Sequence, residues 1–218
     1  MGLDLRPLGK PKAGKEQRFE YIFDLLRHDD LPEDEEQCEE LRQEWFDIQT
    51  DPEITLGAPQ VGKDAAADAW FETWYRELDD PDKPPFADLY RDYQGYYVIS
   101  LARERDGVPV YVPWAGDETA FRGQILTFCQ DVLTAELINE AWESHSAAEA
   151  LDYARRLEAA ADAVAEPQGL GYLKTRREVP DVDEDPADSL EHQLHIVYSL
   201  VRWLQFYASR GHGFEADY

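Results

Sequence analysis

The segment from Asp185 to His212, D-P-A-D-S-L-E-H-Q-L-H-I-V-Y-S-L-V-R-W-L-Q-F-Y-A-S-R-G-H, sets the strongest condition on the fold. Leu190, Leu194, Val197, Val201, Leu204 and Ala208 recur at the spacing of one helix face, and Ile196, Leu200, Trp203 and Tyr207 form a second line beside it. An apolar face that broad cannot lie on a surface; other elements must surround it. Asp185 suits an N-cap and Pro186 the first helical position, where a missing N–H costs nothing. Gly211 suits a left-handed exit. The pattern therefore predicts a central helix over 186–210, and the rest of the chain must supply its cover.

Several segments can do so. Phe19, Ile22, Phe23 and Leu26 predict a helix between Lys15 and His28, and Cys38, Leu41, Trp45 and Ile48 a second from Glu33 to Ile48, the two forming a hairpin. Helices are also expected after Asp64, from Phe86 to Tyr93, from Asp117 through Phe121, Ile125, Phe128, Cys129 and Val132, and from Glu136 to Glu143. Ser146 and Glu149 have capping-box spacing and open an Ala-rich helix that Pro167, Gly169 and Gly171 end. Small residues along it let a neighbouring helix come close. Tyr96–Leu101 and Val108–Val112 are rich in β-branched and aromatic residues around Asp106-Gly107, which predicts a hairpin near 96–113, its second strand an edge because of Pro109 and Pro113. A helix continuing from Phe86 through Ala102 is the alternative. The expected fold is mainly α with minor β: one domain over 1–218, a helical bundle around the C-terminal helix with one small hairpin. Residues 1–15 form an extended basic arm lying across the protein's own acidic surface, and 172–185 an acidic linker.

Of the 218 residues, 43% are hydrophobic and 12% aromatic, enough for a folded core. The 47 Asp and Glu outnumber 21 Lys and Arg, a formal charge of −26. Such a chain repels phosphate backbones and anionic lipid, so neither nucleic acid nor membrane is an expected partner. The acids are clustered. Asp24 to Glu53 holds thirteen acids and two basic residues, and Glu178 to Glu191 seven acids and no base. Two cysteines without a Cys-x-x-Cys, and an N-terminus without an apolar signal region, point to a reducing cytoplasm. Cys129 reads as a core residue and not a nucleophile.

Gly57-Ala-Pro-Gln-Val-Gly-Lys63 matches seven positions of the phosphate-binding P-loop pattern, but Asp64 replaces the metal-binding hydroxyl and Pro59 removes a loop N–H. A turn capped by Asp64 accounts for the same residues. Asp188, Glu191, His192 and His195 fall within an arc of roughly 100° at the start of the central helix, the arrangement by which bundles hold a divalent metal. Glu136, Glu140, Glu143 and His145 are candidates to complete such a site, and Glu140/Glu143 and Glu158/Asp162 are carboxylate pairs at helical spacing. Acids also suit the positive end of a helix dipole, so the same four residues fit a plain helix start. The function expected first is a non-catalytic protein that binds a basic protein partner through its acidic surface, with no cofactor. The alternative is a metal-dependent helical-bundle hydrolase centred on His192 and His195.

Overall fold

A computed structural model describes residues 2–113, 117–181, 185 and 187–218. The elements in chain order are β1 (Asp4–Pro7), β2 (Lys10–Pro11), α1 (Glu16–Arg27), α2 (Glu35–Asp47), β3 (Gln49–Thr50), α3 (Pro52–Leu56), α4 (Ala65–Glu77), α5 (Phe86–Asp92), α6 (Ala135–Glu140), α7 (Ala147–Gln168), α8 (Leu190–Ala208) and β4 (Phe214–Asp217). The protein is mainly α with two small antiparallel sheets. Among the described residues no helix is long and apolar enough to cross a membrane. The chain forms two compact units, Met1–Pro52 with Pro109–Tyr218, and Glu53–Val108.

In the first unit α8 is buried on nearly all sides: every residue from His192 to Val201 is buried, as are Trp203, Leu204, Phe206, Tyr207 and Ala208. Its most extensive partner is α7, whose buried face of Ala150, Tyr153, Ala154, Leu157, Ala161 and Ala165 admits the close approach that small residues permit. The predicted capping box is present: Ser146 Oγ accepts from Glu149 N, and the Glu149 carboxylate accepts from Ser146 N at 2.8 Å. Helix α7 runs one residue past Pro167 and leaves through Gly169 at φ 71°.

Helix α8 begins later than the sequence suggests. Ser189, not Asp185, is its N-cap, with Ser189 Oγ accepting from His192 N at 3.3 Å. Asp185 instead builds the preceding turn, its carboxylate accepting from Ala187 N at 2.9 Å. Pro186 and residues 182–184 of the expected linker lie outside the described residues.

The strand content is not where the sequence placed it. β1 pairs antiparallel with β4, Leu5 opposite Ala216, so the two ends of the chain form one sheet. Single bridges extend it to Phe121 beside Leu5 and to His145 beside Phe214. β2 pairs with β3, which ties the basic arm to the end of α2. The expected hairpin near 96–113 is absent: Ile99–Leu101 and Arg105–Gly107 are 3-10 turns. Its would-be strands belong to different units, and the backbone of the first is spent elsewhere. Val61 N donates to Tyr96 O (3.0 Å) and Val98 N to Pro59 O (2.9 Å). The helix expected from Asp117 is likewise replaced by a 3-10 segment, Gly123–Phe128. Gln124 N donates to Leu3 O at 2.9 Å and Phe121 N to Leu5 O at 2.9 Å, bonds to the N-terminal arm that an α-helix would have to give up.

The hairpin of α1 and α2 has its own core of Phe19, Ile22, Phe23, Leu41 and Ile48, with Trp45 stacked on Phe19 at 4.6 Å. In the second unit Val61, Ala67, Phe71 and Val98 are surrounded by Trp70, Trp74, Tyr75, Leu89, Tyr90 and Tyr93.

Gly213 marks the tightest backbone approach in the terminal sheet, where a Cβ would stand 2.1 Å from His145 O. Gly213→Ala is expected to lower stability by roughly 1–3 kcal/mol through overpacking. Gly171→Ala, with nothing within 4 Å of its Cβ position, should stay within about 0.5 kcal/mol of wild type. Urea midpoints of the two variants provide the comparison.

Candidate functional site

Helix α8 carries one polar stripe on its otherwise apolar surface. His192, His195, Ser199 and Arg202 stand three, four and three residues apart, which places them within roughly 80° of arc over three turns. Three of the four are buried, and Arg202 is half-buried.

His195 is wholly inaccessible, and its Nδ1 lies 2.6 Å from the Tyr111 hydroxyl. Burial, reinforced by the Arg202 charge, pushes the imidazole down to about 4 while the Arg177 backbone pulls the other way. Burial also raises the Tyr111 phenol far above its ordinary value. Both groups are therefore neutral near pH 7. A ring with its proton on Nε2 accepts the Tyr111 O–H; a ring protonated on Nδ1 donates to the phenol oxygen. Beyond Tyr111, the His195 ring faces the Arg177 backbone, whereas Nδ1 of buried His192 makes no hydrogen bond of normal geometry among the described residues.

Arg202 Nη1 donates to Lys174 O at 2.8 Å and Nη2 to Ser199 Oγ at 2.8 Å. Burial, then the neighbouring Arg177 charge, lowers its pKa. Arg176 also acts on His195, its own Nε donating to Glu178 O at 3.0 Å. The base of the stripe is anchored by Gln193, whose Nε2 donates to Asp131 Oδ2 (2.9 Å) and Ala187 O (2.8 Å). Cys129, 3.7 Å from Gln193 O, is pushed up to about 12 by burial and stays a thiol.

The four residues singled out from the sequence fare differently. His192 and His195 join the stripe. Glu191 is half-buried and accepts from the Tyr172 hydroxyl at 3.4 Å, whereas Asp188 lies before the N-cap and is exposed. Among the described residues no group of three or more His, Cys, Asp or Glu side chains is gathered that could hold a metal ion. Tyr111, Ser199 and Arg202 were not anticipated. The signal for two of them was available, since polar residues recurring in register inside an apolar helix share a face.

Glu140, Glu143 and His145 come together elsewhere, in a cleft of about 470 Å³ also lined by Arg27, Glu149, Asp152 and Arg156. Its charges are matched internally. Glu140 binds Arg156 in bidentate fashion and meets His145 Nε2 at 3.2 Å, and Arg156 also reaches Asp152 at 2.8 Å. Against the burial that would raise it, Ser146 and Arg27 hold Glu149 at about 2. Glu158 and Asp162 share the Lys174 ammonium, at 2.9 and 2.8 Å, in the position a cation would take.

The glycine-rich loop has no phosphate cradle. The segment ahead of it is helix α3, not a strand. Gln60 N donates to Asp64 Oδ2 (2.9 Å), Val61 N to Tyr96 O (3.0 Å) and Gly62 N to Asp68 Oδ1 (2.7 Å), so the amides a phosphate would need are occupied.

Compared with known proteins, the chain matches no family model, no curated protein and no solved structure.

Two predictions concern the stripe. His195 and His212 are both buried and both held at about 4, burial being the first cause in each. The unfolded chain binds protons at these rings below about 6.5 while the folded chain does not, so unfolding takes up protons in that window. Their stabilisation is complete above about pH 6.5 and is lost as pH falls toward 4, by roughly 3 kcal/mol for each ring. Thermal unfolding across that range should record the fall. Tyr111→Phe removes the partner of His195 Nδ1 and should cost about 1–3 kcal/mol. Tyr172→Phe, at an exposed site, is expected to stay within about 0.5 kcal/mol of wild type in the same denaturant titration.

Proposed function

We propose that the protein binds a basic protein partner through the exposed acidic face of α2, without catalysis. The observation that carries this is the state of Glu33, Glu35, Glu36, Glu39 and Glu40. All five are exposed, and none is in an ion pair among the described residues. Two of the neighbouring cations are already committed, while exposed Arg42 of α2 is in no ion pair among the described residues. Arg18 is forked onto Glu44 and Arg27 spans Asp24 and Glu149. The dense negative field of the helix is therefore directed at solvent, where it steers a cationic partner and fades as salt screens it over ~8 Å at physiological ionic strength. Phe46 on the same helix is 71% exposed and supplies an apolar contact of the kind that fixes a complex once charge has brought it together.

The test is a quadruple variant, Glu35→Gln, Glu36→Gln, Glu39→Gln and Glu40→Gln. These side chains touch no core residue, so melting temperature should be unchanged. Pull-downs at low and high salt, with the recovered basic protein then measured by surface plasmon resonance, should give an association rate at least about tenfold lower for the variant at low salt. The two proteins should converge at high salt. Recovery of no salt-sensitive basic partner, or equal rates for variant and wild type, would overturn the proposal.

A further inference from the structure

Several cations of this chain meet carboxylates, whereas half-buried Lys83 and Arg202 bond only to neutral oxygens. Arg122 meets Asp4 (2.9 Å), Arg156 meets Glu140, Arg27 meets Glu149 (3.1 Å), and Lys174 meets Glu158 and Asp162. Arg202 has no carboxylate partner among the described residues; its two bonds go to a carbonyl and a hydroxyl. A partly buried cation without a counter-charge is destabilising unless something supplies one.

The same face holds further unmet capacity. His192 Nδ1 is buried without a hydrogen bond of normal geometry, in a protein interior where almost all such atoms are paired. Ser199 and Tyr111 add hydroxyls, and Arg176 adds positive charge that acts on His195. Every group here can donate a hydrogen bond, and none of the side chains named is a carboxylate. The guanidinium is half-buried, so the stripe is not sealed from solvent. The complement of such a lining is a compact oxyanion, because a guanidinium fork fits two oxygens of a carboxylate or phosphate and an imidazole N–H donates to a third.

We propose that His192, His195, Ser199 and Arg202 of α8, with Tyr111 opposite, form a binding site for the carboxylate or phosphate group of a small ligand. The site lies on different residues from the acidic face of α2, so each proposal stands or falls without the other.

The experiment titrates the full chain with inorganic phosphate in one arm and sodium acetate in another, against sodium chloride at matched ionic strength. Thermal unfolding and the imidazole resonances of ¹⁵N-histidine-labelled protein are the readouts. A saturable rise in melting temperature with phosphate or acetate but not chloride, together with saturable shifts of the His192 and His195 resonances, supports the site. The arm that responds names the anion. Arg202→Gln should weaken binding by about tenfold or more, and Arg202→Lys, which keeps the charge but loses the fork, by less. If neither anion moves the His192 and His195 resonances of the wild-type protein saturably, the proposal is overturned, whether or not the Arg202 variants fold. Equal affinity of a folded Arg202→Gln variant would overturn it as well.

Discussion

The burial of α8 on all sides is the constraint on which the first unit depends. A fully buried Leu, Val, Ile or Phe side chain contributes about 1.5–3 kcal/mol relative to exposure, and α8 carries such residues on every side. No single layer can cover them. Helix α7 offers its alanine face to one side. Elsewhere Phe121 and Phe214 meet Trp203, whose indole N–H donates to Thr119 O at 3.0 Å. The terminal sheet follows from the same need, because its β1–β4 pairing and flanking bridges carry Leu5, Phe121 and Phe214, all fully buried.

Charge has a different role. The ion pairs nearest the core, such as Arg122 with Asp4 and Arg156 with Glu140, neutralise acids that would otherwise be enclosed. Pairs out in solvent, such as Arg155 with Asp152, contribute about 0–1 kcal/mol, far less than the burial of one large apolar side chain. The acidic excess is therefore not what holds the fold together. It accumulates where burial makes no demand, on the outer side of α2, whose only fully buried residue is Leu41.

What could be read from the sequence follows the range of the interaction involved. Helix periodicity and capping are local, so α1, α2, α4, α7 and α8 and the Ser146–Glu149 box were legible. The pairing of Leu5 with Ala216 spans nearly the whole chain, and nothing in the sequence near either residue signals it. The apolar residues at 96–101 and 108–112 suggested each other because they were adjacent, but each found its partner elsewhere. The start of α8 was misplaced for an energetic reason. An N-cap contributes about 1 kcal/mol, less than one buried side chain, so the helix begins where burial begins, next to His192, and Ser189 takes the cap. At the site, the two histidines were legible as a pair, but Tyr111 arrives from another segment and Arg202 lies three turns away. The acids flanking the two histidines do not join the polar stripe, whose one charged member is Arg202.

The polar stripe runs against the logic of the helix that carries it. An apolar residue at 195, 199 or 202 would join the packing that the rest of α8 relies on, and replacing enclosed charge by well-packed apolar groups is commonly neutral or stabilising. His195 is kept neutral by its surroundings and Arg202 is held with its charge uncompensated, so the stripe lowers the stability of the one element the unit cannot do without. Sites where local chemistry opposes the fold in this way are where proteins concentrate function. The stripe is narrow, and its register is strict: shifting any member by one residue would turn it about 100° into the apolar packing. Tyr111 Oη meets His195 at hydrogen-bonding distance from outside the helix, which a face serving only to pack would not require. An anion seated against Arg202 would supply the missing counter-charge and could give buried His192 a partner, removing both sources of instability at once.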